Sequence, residues 1–503
     1  MNKKILLPVL AFAFTLASCD MDKEPYNAIP DSEALQTPTD FLNMSVPLYT
    51  GFRACVGSSS FYNEPDAQSD DFNAVLTLSD IHSWTFTASH SAGDAVYANC
   101  QSMIARANFI IDGYNKCDMS NTNLFTPEDI QKVRNVKGEA FITRAYYLYY
   151  LAQYFCGVYD ESTADTENSG VSYRTDYAPS SNSATYPGRK TLRETYKQIT
   201  DDLDSAAVYI NTEGAASNYY MSVDLVPALY ARVALSMKNY NVAAQKAVQV
   251  INTGKYTLTS GSSIEDFWWE NSDRETIFKI YGANVSQLPA QTGSTYLPYT
   301  TGGTPSYLPT QTVIDLFSNN DYRKDVYFTP ITVQTSAGIS GQVYALSKYP
   351  ENGYVWTASG NYDYARFAIE PKVIRISEMY LIAAEAYAMQ DNITEAAKYL
   401  NAIESKRIRN YQNQTFTSQN NIMQEIKNER QREFLGEGMR FLDLKRWGNG
   451  IQRGEPQNDN FCAQPGSELS TKLSKSASDI HFVWPIPQHE IDTNPQIKQN
   501  PGY

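Results

Sequence analysis

Basic side chains are in deficit. The 41 Lys and Arg against 55 Asp and Glu leave a net charge of −14. No basic cluster interrupts that balance, which excludes a surface built to hold a phosphate backbone, and with it nucleic acid as a partner. Histidine is scarce, with 4 copies, and His82, His90, His481 and His489 show no ligand spacing. No C-x-x-C occurs among the 6 cysteines, so neither a zinc site nor a thioredoxin-like motif is supported, and no metal or cofactor is expected. Nucleophile-elbow, P-loop and H-E-x-x-H motifs are missing, and no enzyme is expected. The adjacent Asp70 and Asp71 suggest glycosidase carboxylates only superficially. Neighbours on one loop rarely flank a bond from opposite sides, so a surface glycoside hydrolase is the least favoured reading. No apolar run reaches the length of a membrane-spanning helix.

The longest apolar run is at the start. Lys3 and Lys4 lead into Ile5–Leu16, then Ala17, Ser18 and Cys19. A short basic start, an apolar core and small residues before a cysteine make residues 1–18 a signal peptide. The Leu16-Ala17-Ser18-Cys19 lipobox resembles that of bacterial lipoproteins, in which the cysteine is lipidated and becomes the new N-terminus. Cys19 is thus the expected lipidation site, with the mature chain outside the cytoplasm and anchored, not spanning. Residues 19–37 read as a flexible tether. Its acids Asp20, Asp22 and Glu24 resemble surface-export signals of Bacteroidetes lipoproteins, or are plain linker composition. Five cysteines remain (Cys55, Cys100, Cys117, Cys156 and Cys462), so at least one stays unpaired within the monomer. Cys100 and Cys117 fall on one predicted helix about 25 Å apart and cannot pair.

The body, 38–503, reads as mainly α. Val96, Met103, Ile104, Ala107, Ile110 and Ile111 recur at helical spacing across Ala92–Cys117. Thr126-Pro127-Glu128-Asp129 is a helix start, with an N-cap, Pro in the first turn and acids at the positive dipole end. Helices are predicted over Thr191–Ile210, Ser222–Met237 and Tyr240–Thr253, the last stopping at Gly254, with an irregular surface loop over 157–190. The segment beginning Leu229-Tyr230-Ala231 is echoed by that beginning Leu381-Ile382-Ala383, and the register extends to Ala244 with Ala396, Lys246 with Lys398 and Val248 with Leu400. Two helix–turn–helix units with Ala at the close approach follow the logic of tetratricopeptide repeats. The expected fold is mainly α, with tetratricopeptide-like helix pairs (about 38–254 and 371–450), a loop-rich insert with a little β-structure (about 255–370) and a C-terminal segment 451–503. Short β-leaning runs in the insert are Thr276–Tyr281 and Gln342–Leu346.

The last hundred residues carry a long motif. Asn428-Glu429-Arg430-Gln431-Arg432-Glu433-Phe434 runs into Gly436-Glu437-Gly438-Met439-Arg440 and Asp443-Leu444-Lys445-Arg446-Trp447-Gly448. Alternating charges at three- and four-residue spacing predict an ion-pair lattice with Trp447 packed over it, not an acid/base pair. With Gly138–Tyr147, Arg375–Leu381 and the ending Pro485–Tyr503, this motif resembles the SusD/RagB family of outer-membrane nutrient-binding lipoproteins across nearly the whole mature chain. The resemblance implies a cell-surface lipoprotein of the outer membrane that captures oligosaccharides and delivers them to a SusC-like TonB-dependent transporter. Oligopeptide binding, as in RagB-type members, is the alternative. The family's binding loop precedes its second helix; here Asp70, Asp71 and Asn73 would supply acceptors, and His82 and Trp84 ring surface. The insert adds Tyr296, Tyr299, Tyr307, Tyr354, Trp356, Tyr362 and Tyr364, some of which would converge into one shallow aromatic platform.

Overall fold

The computed structural model describes residues 34–56, 59–211, 217–282, 287, 295–297, 304–334, 338–349, 353–356, 362–365 and 370–503. The signal peptide, Cys19 and most of the tether therefore lie outside the described residues. Eleven helices make the frame: α1 (Pro38–Val56), α2 (Ser59–Gln68), α3 (Ser91–Lys116), α4 (Pro127–Phe155), α5 (Leu192–Tyr209), α6 (Leu225–Ser236), α7 (Tyr240–Ile251), α8 (Ile376–Met389), α9 (Ile393–Arg407), α10 (Gln419–Glu433) and α11 (Arg440–Trp447). Helix starts follow local chemistry. Thr126 and Asp129 form a reciprocal capping box at α4, and Thr191 and Glu194 form another at α5, each satisfying backbone donors that the first turn leaves open.

The helices pack as antiparallel neighbours: α3 on α4, α4 on α5, α6 on α7 and α8 on α9. The two repeat units, far apart in sequence, stack directly through α7 and α8. That contact buries Ala243, Ala244, Ala247, Ala383, Ala384 and Ala386, small residues that let the backbones approach. The turns also correspond. Lys238 and Asp391 both take left-handed φ (57° and 60°), and Asn239 and Asn392 cap the second helices. These turn residues are one position out of step with the sequence match. In the second helices Ala243 therefore pairs with Ala396 and Ala247 with Leu400, instead of Ala244 and Val248. The turn after α8 carries one residue more, Gln390, relative to the shared Met237/Met389.

Among the described residues the strands form five two-stranded antiparallel sheets: β1 (Phe72–Ala74) with β3 (Tyr307–Pro309), β2 (Thr276–Lys279) with β8 (Lys372–Arg375), β4 (Phe328–Gln334) with β5 (Ser340–Leu346), β6 (Gly353–Trp356) with β7 (Tyr362–Ala365), and β9 (Ile451–Gln452) with β10 (Ser474–Lys475). Two features sharpen the picture of the insert. It contains short helices at Ser263–Trp269, Gln311–Asp315 and Tyr322–Tyr327, with its own buried cluster around Trp268, Phe317 and Tyr327. Its β2 strand is held by β8, which runs straight into repeat helix α8. Cys100, Cys117, Cys156 and Cys462 carry free thiols.

Candidate ligand-binding site

Most of the segment from Asp70 to Trp84 is packed into the body, with Leu76, Thr77 and Asp80 exposed. Asp70 accepts both ends of the Arg440 guanidinium (2.7 and 2.8 Å), and Asp71, fully buried, accepts from the Gln431 amide at 2.6 Å. Burial and the neighbouring Asp70 push the Asp71 carboxyl up. These two acids engage the C-terminal charge run and do not face each other across a cleft. Asn73 sits in β1, buried, with its amide 3.4 Å from the Ser470 carbonyl. His82 is buried in a helical turn (Asp80–Ser83) that Ser79 caps. Its Nε2 accepts from the Ala74 amide at 3.2 Å and from Arg453, so burial and the adjacent guanidinium hold the ring well below its ordinary pKa, in the neutral form. Trp84 ends that turn at φ 56° and is 1% exposed. Its indole N–H donates to the Gln68 carbonyl at 2.9 Å, and its ring meets Phe482 edge-on at 4.8 Å. Neither ring offers a face to a ligand. The expected binding loop is instead a joint that ties the N-terminal third to the C-terminal segment.

The insert aromatics divide. Tyr296 is buried; its hydroxyl donates to Asp66 (2.8 Å) and its ring lies against Phe72. Tyr307 on β3 is half-buried, 5.6 Å from the His82 ring and bonded to Ser79. Tyr299 lies outside the described residues. The other four share one hairpin, in which Tyr354 is opposite Tyr364 and Trp356 opposite Tyr362. Because successive strand positions alternate between faces, positions 354, 356, 362 and 364 share one face, while Val355 and Asp363 share the other.

The charge run of α10 and α11 forms ion pairs, though mostly with partners outside itself. Among the described residues, Arg430 with Asp443 (2.7 Å), Arg432 with Glu429 (2.8 Å) and Glu425 (2.5 Å), and Arg446 with Asp443 (2.9 Å) close within it. Glu433 accepts from Arg323 (2.8 Å), Arg407 (2.7 Å) and Arg375, and Glu437 from Lys348 and Arg375. Burial pushes the Glu433 carboxyl up, but Arg407 and Arg375 beside it prevail and hold it well below the usual carboxylate range. The lattice thus fastens the insert (Glu275, Arg323, Lys348) to the repeat frame. Trp447 lies at its edge, its N–H donating to Glu385 at 2.9 Å under the Lys427 ammonium.

A groove of about 480 Å³ lies between α3, the 172–187 loop and the helical turn Gln488–Thr493. Asn108 pins the loop by donating to the Arg174 and Asp176 carbonyls (2.9 and 3.2 Å), and Gln101 donates to the Ser172 carbonyl at 2.7 Å. Asn494 holds the Pro187 carbonyl from the other side at 3.0 Å. Rings of Tyr97, Tyr173, Tyr177 and Tyr186 line it. The sequence pattern points elsewhere because the walls come from three distant segments, and the motif in one of them, the ending Pro485–Tyr503, carries family identity and no ligand chemistry. Only the density of Tyr and Pro in the 172–187 loop was a signal.

Comparison with known proteins extends these observations. The SusD family profile matches residues 340–503, and a second, described as starch-binding associating with outer membrane, matches residues 22–235. Among solved structures, a SusD superfamily protein from Bacteroides thetaiotaomicron is 24% identical, covering 92% of this chain and 100% of its own, with a TM-score of 0.72. A SusD superfamily protein from Bacteroides vulgatus is 22% identical over 93% and 99%, with a TM-score of 0.75. A SusD-like carbohydrate binding protein from Bacteroides vulgatus is 17% identical over 92% and 97%, with a TM-score of 0.73. At these identities the likeness is one of fold. No curated protein matches.

Proposed function

Because the chain belongs to the SusD/RagB family, we propose that it is a lipid-anchored outer-membrane protein that captures oligosaccharides at the cell surface and passes them to a SusC-like TonB-dependent transporter. The observation that carries the binding reading is the β6–β7 register, which gathers four aromatic positions on one face of a narrow ribbon. Pyranose rings present apolar C–H faces that stack on such surfaces, while their hydroxyls bond to flanking polar groups. The family profile described as starch-binding associating with outer membrane, and the carbohydrate-binding neighbour, support the same class of ligand. Anchoring rests on the Cys19 lipobox, and among the described residues no helix is long and apolar enough to cross a membrane. The protein would do its work by binding, on a frame whose buried charges serve packing.

Isothermal titration of the chain against neutral, acidic and host-type oligosaccharides and a peptide digest tests this reading. Micromolar-to-millimolar binding of longer oligosaccharides of one glycan class, strongly weakened in Trp356→Ala/Tyr364→Ala, is expected. Heat from the peptides alone would move the protein to oligopeptide capture.

A further inference from the structure

We propose that the groove between α3, the 172–187 loop and the Gln488–Thr493 turn is a second saccharide subsite, separate from the hairpin, which takes one or two units of a neutral sugar; this rests on the reading of the chain as a saccharide binder. Tyr97 carries the argument. Its side chain is 1% exposed, it lines the groove, and its hydroxyl makes no well-formed hydrogen bond among the described residues, the Gln101 side chain beside it being engaged with the Ser172 carbonyl. A buried hydroxyl without a partner costs folding energy, so its retention calls for a group that arrives later. Glu490 stands near it, half-buried and, among the described residues, engaged in no ion pair, its carboxyl pushed up by burial. A hydroxyl that both donates and accepts, beside a lone carboxyl, matches a vicinal diol.

The remaining lining fits the same ligand. Tyr177 and Tyr186 are half-buried, leaving ring surface for a sugar's C–H face. The rim cation Arg174 is already spent on Asp176 (2.8 Å), so the groove offers no free guanidinium to a sulfate or uronate. The volume of about 480 Å³ lies within the range of small-ligand sites, roughly 300–1,000 Å³. The walls are also fixed in advance. Asn108, held by Arg144 (2.8 Å), and the Asp112 carboxylate, which accepts from the Tyr177 amide (2.7 Å), set the loop before any ligand arrives.

The test is calorimetric titration of the full chain with maltose, cellobiose, lactose and mannobiose, and with a lysine-containing dipeptide as a cationic control. Four variants discriminate. Ala105→Trp, at an exposed position of α3 on the groove wall, should abolish disaccharide binding. Tyr97→Phe should weaken it about tenfold, the size of one hydrogen bond, with an unchanged or raised melting temperature because only an unpaired hydroxyl is lost. Trp356→Ala/Tyr364→Ala should leave it intact. Disaccharide binding that survives Ala105→Trp and vanishes in the hairpin variant would overturn the groove assignment and leave the oligosaccharide reading standing. Heat from the dipeptide alone, lost in Glu490→Gln, would overturn it in favour of a cation site. Silence with every disaccharide at millimolar concentration would also overturn it, while the longer oligosaccharides judge the hairpin separately.

Discussion

Trp84 shows how a side chain of the right kind for a sugar platform can serve the fold instead. Its ring is enclosed by Phe482 and Phe441, and its N–H is spent on the Gln68 carbonyl. Trp84→Ala should therefore cost about 3–5 kcal/mol in chemical denaturation, as large-to-small changes in packed cores do. Glu433 is the corresponding case among charged groups. Three buried guanidiniums converge on it, from Arg323, Arg375 and Arg407. Replacing it with Gln leaves those cations short of a counter-charge, and a loss of about 3–5 kcal/mol is expected. Glu139 gives a pH signature. Burial pushes its carboxyl up to about 7, although Tyr49 (2.8 Å) and Asn135 (3.0 Å) both donate to it. Between about pH 4.3, the unperturbed value, and about 7 the folded chain holds a proton there that the unfolded chain has released. This residue's contribution is thus present at low pH and lost as pH rises through that window, at up to about 1.4 kcal/mol per pH unit. Glu139→Gln should flatten that part of the stability–pH curve, and an unchanged slope would show that the carboxyl is ionised in the fold.

At the scale of elements, α4 and α5 meet at Gly138. A Cβ built there would stand 2.7 Å from the Ile210 backbone nitrogen and 2.9 Å from its Cα. Alanine normally gains about 1 kcal/mol over glycine inside a helix, but overpacking against backbone costs about 1–3 kcal/mol. Gly138→Ala should therefore destabilise the protein, by thermal or denaturant melting, despite its better helix propensity. Much at this scale is written locally. The capping boxes at Thr126 and Thr191, the stop at Gly254 (φ 66°) and the paired repeats all follow from neighbours a few residues away. What escapes a linear reading depends on distant partners. The α10–α11 charges are legible as ion pairs, but their partners Arg323, Lys348, Arg375 and Arg407 lie upstream. Trp84 reads as a loop aromatic until Phe482 covers it. The β6–β7 pairing was not read from the sequence, although its aromatics alternate, Tyr354 and Trp356 against Tyr362 and Tyr364, in the period of a strand.

On the proposed function, rigidity and recognition belong to different parts of the molecule. The stacked α7–α8 contact and the buried charge lattice fix a frame on which the β6–β7 ribbon and the α3 groove stand as distinct surfaces. Anchoring belongs to this scale too. Cys19→Ala should move the protein from the outer-membrane fraction to the soluble fraction on fractionation, since the acyl chains would be its hold on the bilayer. The central claim is that an oligosaccharide is held by the hairpin aromatics and not by the 70–84 segment. It is tested most directly by titrating one oligosaccharide that binds the parent chain into two variants, Trp356→Ala/Tyr364→Ala and Trp84→Phe, each first shown to be folded. Binding should be lost in the hairpin variant and kept within about threefold in Trp84→Phe, a shift below about 0.7 kcal/mol. Binding kept in the hairpin variant and lost in Trp84→Phe would contradict that claim.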